Sequence, residues 1–577
     1  MRNKRIFTSF STLLLCSIPC ALFILLILMV PVHRVNAAVL ERQTTEGKVV
    51  GEEDTQTRTI SWKAIPYASP PVGNLRWQSP RPPEKRNDVL HAEEFCQVCP
   101  QYSDTDLNPE TPQIIVGQED CLYLNIWSPK NAAKDLPVFF WIHGGGNSIQ
   151  WPALSWLDGG ILARRGNMVV VTINYRLGPM GFFNHPALKT SDKETDSGNF
   201  ALLDQIAALK WVQANIKNFG GNPDNITIAG ESAGGQDVFC LVASPLAKGL
   251  FHRAISQSGV IMTSTPQSGA EHADTVIARL MVQDGKASDE KSAADLLAAM
   301  SPLDIKAYVH TKHASEFLTT YPDGPVRGMI RFPTAFSDGH VLPEDYYGAL
   351  KSGNYNKVPM ILGSNKEETK LFTQKSPPFS EWKKDFSLYK DPEKIEFYDK
   401  VNEYQSAGWK AMAVDEPARI MSGHKDQPDI YTYLFLWGAG EPGKEVLANP
   451  YHILFGACHA MEIDFVFGTD DASLGAFFFN HLNQKGRVAL SNAMMDYWSE
   501  FARAANPNPV KTDLPRWTPW SNDEGPKTIH LDADLDKAVI TMSSQEVTNT
   551  TIEDALKKEK LQSRIQPFWD NAMLRRK

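Results

Sequence analysis

Two short runs that are apolar at almost every position set the terms for how this chain can fold. Val138-Phe139-Phe140-Trp141-Ile142 is the first, and Met168-Val169-Val170-Val171-Thr172-Ile173 is the second. A strand with one wet face alternates apolar and polar residues. Runs that are apolar throughout and rich in β-branched residues belong in a parallel sheet covered on both sides. Between the second run and the next, Leu202, Ile206, Leu209, Val212, Ile216 and Phe219 recur at steps of four and three, which predicts a helix with one apolar stripe. Gly220-Gly221-Asn222-Pro223 ends it. Ile226 to Ala229 then reads as a strand, and Ala254 to Ser256 as another. Strand, helix and strand of these lengths make a right-handed crossover, so the fold class is α/β with a mostly parallel sheet. Later strands are expected at Val358 to Leu362 and Tyr431 to Phe435, and a long helix from Ser491 to Ala505. The more helical region from about 270 to 338 is expected to cap the sheet.

The N-terminus has the order of a secretory leader. Arg2, Lys4 and Arg5 precede an apolar run from Leu13 to Val30, interrupted by Pro19, and Val35-Asn36-Ala37 offers a small-residue cleavage site. The run exceeds the usual signal core of roughly 7–15 residues and approaches the roughly 18–20 that span a bilayer. Residues 1–37 are therefore expected to be a signal peptide or a signal anchor. The chain would be secreted or periplasmic, or tethered to a membrane through residues 6–30 if the leader stays. Residues 38–577 are expected to form a single catalytic domain with helical insertions, since no linker or internal repeat interrupts them. A net charge of −9 and a pI near 5.9 exclude nucleic acid as a general partner. The basic residues cluster only at the two ends, the second time as Arg575, Arg576 and Lys577.

Of the seven cysteines, Cys16 and Cys20 lie in the leader, which leaves Cys96, Cys99, Cys121, Cys240 and Cys458. An odd number in an exported chain means at least one free thiol. Export allows a disulfide between Cys121 and either Cys96 or Cys99. The Cys96-x-x-Cys99 spacing carries no metal or redox reading, because no second Cys or His pair stands at ligand spacing and no thioredoxin-like βαβ pattern surrounds it.

Gly230-Glu231-Ser232-Ala233-Gly234 follows the 226–229 strand and opens a helix. A bare G-x-S-x-G is a weak signal. In that context the glycines permit a tight, strained turn that holds the serine hydroxyl out at the carboxyl end of the sheet. A hydroxyl attacks a carbonyl only if a base takes its proton and a third group orients the base. The oxyanion that forms needs preorganised N–H donors. The run His143-Gly144-Gly145-Gly146 supplies them at Gly145 and Gly146, and Ala233 supplies a third. Such chemistry needs no cofactor, and no metal site is expected.

Several motifs in order now resemble one family. They are Glu119 to Asn125, His143 to Gly146, Asn174-Tyr175-Arg176, Asp204-Gln205, Phe219-Gly220-Gly221, Gly230 to Gly235, Ser256 to Gly259, and Phe568-Trp569-Asp570. Together they are similar to the type-B carboxylesterases, a family that also holds cholinesterases and neuroligins. The resemblance implies an α/β-hydrolase fold, a large mostly parallel central sheet with helices on both faces. It implies that the acid is Glu368 in Gly363-Ser364-Asn365-Lys366-Glu367-Glu368-Thr369, where Glu367 and Thr369 depart from the family's usual Asp and Gly. Glu367 is then expected to be a surface charge. It implies that the base is His459, in His459-Ala460-Met461-Glu462. The order Ser232, Glu368, His459 is the one α/β-hydrolases use. It also implies a Cys99–Cys121 disulfide and an Arg76–Glu119 ion pair.

The implied function is a serine carboxylic-ester hydrolase with a Ser-His-Glu triad and an acyl-enzyme, acting on a small-molecule ester. The competitors are a lipase or cholesterol esterase-like enzyme on long-chain esters and a non-catalytic, neuroligin-like binding protein. Neuroligin-like relatives lose a triad member, and this chain keeps all three. Cholinesterases place a tryptophan in the disulfide loop to hold a quaternary ammonium. Residues 99 to 121 contain Tyr102 and no tryptophan, so acetylcholine is not the expected substrate. Asn147 stands where many relatives have phenylalanine, which predicts a more polar acyl pocket. Cys458 is read as a buried thiol. Asn225 and Asn549 head sequons, the first leading into a core strand.

Overall fold

The computed structural model describes residues 40–103, 113–131, 134–322, 324, 328–440, 444–470 and 478–571. The expected leader and tether, and the basic residues 575–577, lie outside them. Leu40–Lys577 groups as one compact unit.

Eleven strands build the main sheet. In chain order they are β1 (Glu52–Asp54), β2 (Thr59–Pro66), β3 (Tyr123–Pro129), β4 (Leu136–Ile142), β5 (Val169–Ile173) and β6 (Gly221–Glu231). They continue as β7 (Arg253–Gln257), β8 (Met360–Asn365), β9 (Ile430–Phe435), β10 (Thr528–Ala533) and β11 (Ala538–Ser543). Across the sheet the order is β11-β10-β9-β8-β7-β6-β4-β5-β3-β2-β1. The strands from β10 to β5 run parallel, and the antiparallel ones stand at the two edges.

Every residue of β4 and β5 is buried. Phe139 and Trp141 of β4 point into a cluster with Leu490, Met494, Trp498 and Phe501 of the long helix Gln484–Ala504. The period of two sends Val138, Phe140 and Ile142 to the opposite face, where the helices Phe200–Asn215 and Ala233–Ala243 pack. Each such large side chain contributes about 1.5–3 kcal/mol on burial. We number five helices in chain order: α1 (Phe200–Asn215), α2 (Ala233–Ala243), α3 (Pro266–Gln283), α4 (Pro392–Lys410) and α5 (Gln484–Ala504).

The expected stripe of α1 is buried, but so are Phe200, Ala201, Leu203, Ala208 and Trp211, so the buried face is wider than the stripe. The N-terminal segment lies against the C-terminal end of the helix, while Lys210 and Ala214 stay exposed. There Trp211 Nε1 donates to Glu46 Oε2 at 2.9 Å, and Asn215 bonds Thr45. Residues 266–318 form α3 and three shorter helices around a core of their own, with Val276, Leu280, Leu297 and Phe317 packed against Trp77 and Phe183.

The switch in strand order positions the site. From β4 the chain moves outward to β5, and then returns to the other side of β4 to form β6. At such a switch point the connections leave the strand ends in opposite directions and open a crevice at their carboxyl ends. The His143–Gly146 run leaves β4 there, and Ser232 leaves β6 beside it.

Candidate active site

Ser232 follows β6 and stands at the start of α2 with φ 59° and ψ −121°. A non-glycine residue in this region costs on the order of 1–3 kcal/mol and persists only where its surroundings hold it. Here Ser232 N–H donates to Gln257 O at 2.9 Å, and Gln236 N–H donates to Ser232 O at 2.9 Å. The turn also presses backbone on backbone. A Cβ on Gly234 would stand 2.1 Å from Ile142 O, and one on Gly230 would stand 2.5 Å from Gly234 O. Only glycine fits at either position.

The three residues singled out in the sequence meet. His459 Nε2 lies 2.7 Å from Ser232 Oγ, and His459 Nδ1 lies 2.6 Å from Glu368 Oε2. Glu368 is fully buried in the loop after β8. Its other oxygen accepts from Ser258 Oγ at 2.5 Å, Ser364 Oγ at 3.0 Å and Asn365 N–H at 2.7 Å. Three donors on one oxygen fix the carboxylate, and through it the imidazole.

Two further carboxyls crowd the imidazole. Glu231 Oε1 is 3.2 Å from His459 Nε2, and burial pushes its carboxyl well above the ordinary range. Glu462 is buried and raised for the same reason; it accepts from Asn365 Nδ2 at 2.6 Å and Gln257 Nε2 at 3.2 Å. Burial alone would lower His459, but the carboxylates of Glu231, Glu368 and Glu462 outweigh it and hold the imidazole at about 9. His143 behaves oppositely. It stacks on Tyr175 at 4.5 Å, and burial pushes it down to about 4.

The loop after β4 turns through Gly145 (φ 81°), Gly146 (φ 64°) and Asn147 (φ 55°). Among the described residues, no carbonyl or side chain takes the N–H of Gly145, Gly146 or Ala233. The half-exposed rings of Phe372 and Trp409 stack at 5.9 Å and flank His459 at 5.2 and 4.9 Å.

Two expectations need correction. Asn147 does not make a pocket wall polar: it is 1% exposed, and both ends of its amide are engaged by Tyr175 and Asp237. Glu367 is no surface charge. It accepts from Ala457 N–H at 2.9 Å and pairs with the buried Lys370 at 2.7 Å, so it anchors the segment that leads to His459. The expectations for the cysteines and for the Arg76–Glu119 pair are met. Cys99 and Cys121 are bonded, with Cys96, Cys240 and Cys458 free and Cys458 buried. Arg76 Nε donates to Glu119 Oε1 at 2.6 Å. The Asn225 side chain is occupied, with Nδ2 donating to Arg503 O at 3.3 Å. Sequence reasoning missed Glu231, Trp409 and Asp237 as neighbours of the site, and it used Glu462 only as a marker for His459.

The eleven-stranded sheet with its serine turn at the switch point is the α/β-hydrolase fold. Comparison with known proteins narrows the class. The model of the carboxylesterase family matches residues 38–416 and 412–550. The para-nitrobenzyl esterase of Bacillus subtilis (strain 168) is 35% identical over 505 residues, covering 85% of this chain and 94% of that one. Carboxylesterase 1F of Mus musculus is 32% identical over 524 residues, covering 84% and 88%. Among solved structures, a PNB esterase superposes with a TM-score of 0.65 at 30% identity, over 87% of this chain and 97% of that one. The Geobacillus stearothermophilus carboxylesterase EST55 does so with a TM-score of 0.64 at 27% identity, over 92% and 100%. The chain belongs to the carboxylesterase family, and its activity is that of a carboxylic ester hydrolase.

Proposed function

We propose that Ser232 is the nucleophile, His459 the general base and Glu368 the orienting acid, with Gly145, Gly146 and Ala233 as the oxyanion donors. The supporting observation is the continuous hydrogen-bonded line from Ser232 Oγ through His459 to Glu368, at 2.7 and 2.6 Å. As Oγ bonds the ester carbon, its proton passes to His459 Nε2 and the carbonyl electron pair moves onto oxygen. The developing oxyanion meets the three backbone N–H groups, where each preorganised donor is worth about 10²–10³ in rate. Collapse breaks the alkoxy C–O bond, and His459 returns its proton to the departing alcohol. Water repeats the sequence on the acyl-enzyme: His459 takes its proton, the acid leaves, and Ser232 is regenerated. Residues 38–577 act as one catalytic domain, and residues 1–37 direct export, either cleaved after Ala37 or kept as an anchor. The para-nitrobenzyl esters for which the Bacillus relative is named are fitting first probes beside the Phe372–Trp409 stack.

Ser232→Ala should lose on the order of 10⁴–10⁶ in kcat on p-nitrophenyl and p-nitrobenzyl esters. An organophosphate should leave its mass on the Ser232 peptide of the wild type only. Equal activity in both proteins, or none in either, would sink the assignment. A rate that jumps where long-chain esters exceed their solubility would move the reading to a lipase. Sequencing the mature N-terminus separates a cleaved leader from an anchor.

A further inference from the structure

One face of α4 brings three polar side chains to the loop that carries Glu368. Asn402, Ser406 and Trp409 stand at steps of four and three, the spacing that aligns side chains along a helix. Asn402 Oδ1 accepts from Thr369 Oγ1 at 2.8 Å, and Ser406 Oγ accepts from Thr369 N–H at 3.2 Å. Trp409 Nε1 donates to Ser258 O at 3.0 Å. Thr369 follows Glu368 directly and stands where the family's usual residue is glycine, which has no hydroxyl to give. Thr369, Asn402 and Ser406 are buried.

The helix is pinned just past Trp409. Pro417 has no N–H for Ala413 O, four residues back, and the chain absorbs this in a π-turn over Ala411–Asp415. Such a turn brings residues five apart into register. Lys410 Nζ stands 2.6 Å from both Asp415 oxygens, and Asp415 Oδ2 also accepts from Val547 N–H at 2.6 Å. Both side chains of that pair are buried, where a lone charge is costly, so the pair fixes the end of α4.

Glu368 Oε1 takes three donors, and two of them, Ser364 Oγ and Asn365 N–H, belong to β8. The third, Ser258 Oγ, comes from the residue after β7, which turns there into the left-handed region (φ 54°). Ser258 N–H still bonds Gly363 O at 2.8 Å, but its carbonyl has left the sheet and meets α4. We propose that Trp409 and Thr369 are positioning residues that hold the Glu368 carboxylate against His459, Trp409 through Ser258 and Thr369 through the loop backbone; this rests on the triad assignment above. The carboxylate is needed most when His459 becomes an imidazolium, so a slack loop costs kcat rather than KM. The charged groups facing His459 are Glu231, Glu368 and Glu462, while the Cys458 thiol beside it is raised by burial and neutral. A Glu368 carboxylate that drifts from Nδ1 favours the imidazolium less, so the rising limb of the pH profile moves to lower pH.

The test is kcat, KM and the pH profile of kcat/KM for Trp409→Phe, Thr369→Val, Thr369→Ser and the double variant Trp409→Phe with Thr369→Val. Wild type and Ser232→Ala are the controls. Phenylalanine keeps a ring beside His459 and removes the indole N–H, while valine keeps the shape of threonine and removes the hydroxyl. Trp409→Phe and Thr369→Val should each lower kcat about two- to tenfold, the worth of one hydrogen bond, with KM little changed. Their limb should move down by about half a unit, which is a threefold change on the pH scale. The double variant should lose less than the product of the two, since both act on one carboxylate. Thr369→Ser keeps the hydroxyl and should stay within about twofold of wild type. An unchanged kcat in either Trp409→Phe or Thr369→Val, a fixed limb, a loss confined to KM, or a Thr369→Ser as damaged as Thr369→Val would overturn the proposal. If Trp409→Phe does not fold, Thr369→Val against Thr369→Ser carries the test alone. An active Ser232→Ala would instead overturn the triad assignment.

Discussion

His459 sits among three buried carboxyls, and the sign of their effect decides how the enzyme should respond to pH. They favour the imidazolium, so its pKa is raised, to about 9. A general base works only when neutral. Activity should therefore climb with pH, with the midpoint of kcat/KM above the ordinary imidazole value of about 6.5. Glu231→Gln removes the carboxylate next to Nε2 and should move that limb toward lower pH. A limb that stays in place would show that Glu231 is neutral in the free enzyme. The proposed triad was legible in the sequence because each of its residues lies in a short local motif. Glu231 and Asp237 were not. Glu231 occupies a free position of G-x-S-x-G, and Asp237 has no local pattern to set it apart from any other polar residue of a helix. Trp409 lies 50 positions before His459, and nothing local links them; only the folded position of α4 brings the two rings together.

Among the elements, the inner strands were readable and the edges were not. β4 and β5 are buried at every position, so their composition alone declares them. β1 is half-exposed throughout and carries no hydrophobic pattern, while β11 turns Ala538, Ile540 and Met542 toward the core but buries no residue fully. β6 begins five residues before the expected strand, because its pairing with β4 is irregular between Gly221 and Ile226. The Cys99–Cys121 bond closes a loop of 22 residues just before β3. In the chain-entropy model that contributes about 3 kcal/mol. Cys99→Ser should lower the melting temperature by several degrees and leave kcat nearly unchanged, which differential scanning calorimetry and an ester assay would check together. A large loss of kcat in the folded variant would assign that loop to the substrate pocket.

On the scale of the whole molecule, the C-terminal helix Gln562–Asp570 reaches the site through α4. Ile565 and Trp569 pack on Phe397, Tyr398 and Val401 of α4. From the same helix, Trp409 Nε1 donates to Ser258 O at 3.0 Å, and Ser406 Oγ accepts from Thr369 N–H at 3.2 Å. Those contacts hold both neighbours of Glu368. Trp569→Ala should cost about 3–5 kcal/mol, as a large buried ring does. It should also lower kcat at temperatures where the protein is still folded. A variant destabilised to that degree with unaltered kcat would show that α4 keeps its place without the C-terminal helix.

Ser232 and His459 are separated by 227 residues, and the C-terminal helix Gln562–Asp570 that braces α4 comes later still. At a ribosome's pace of about 5–20 residues per second, the stretch between them takes roughly ten to fifty seconds to make. On the proposed assignment, a nascent chain carries its nucleophile through that interval without the partner that would arm it.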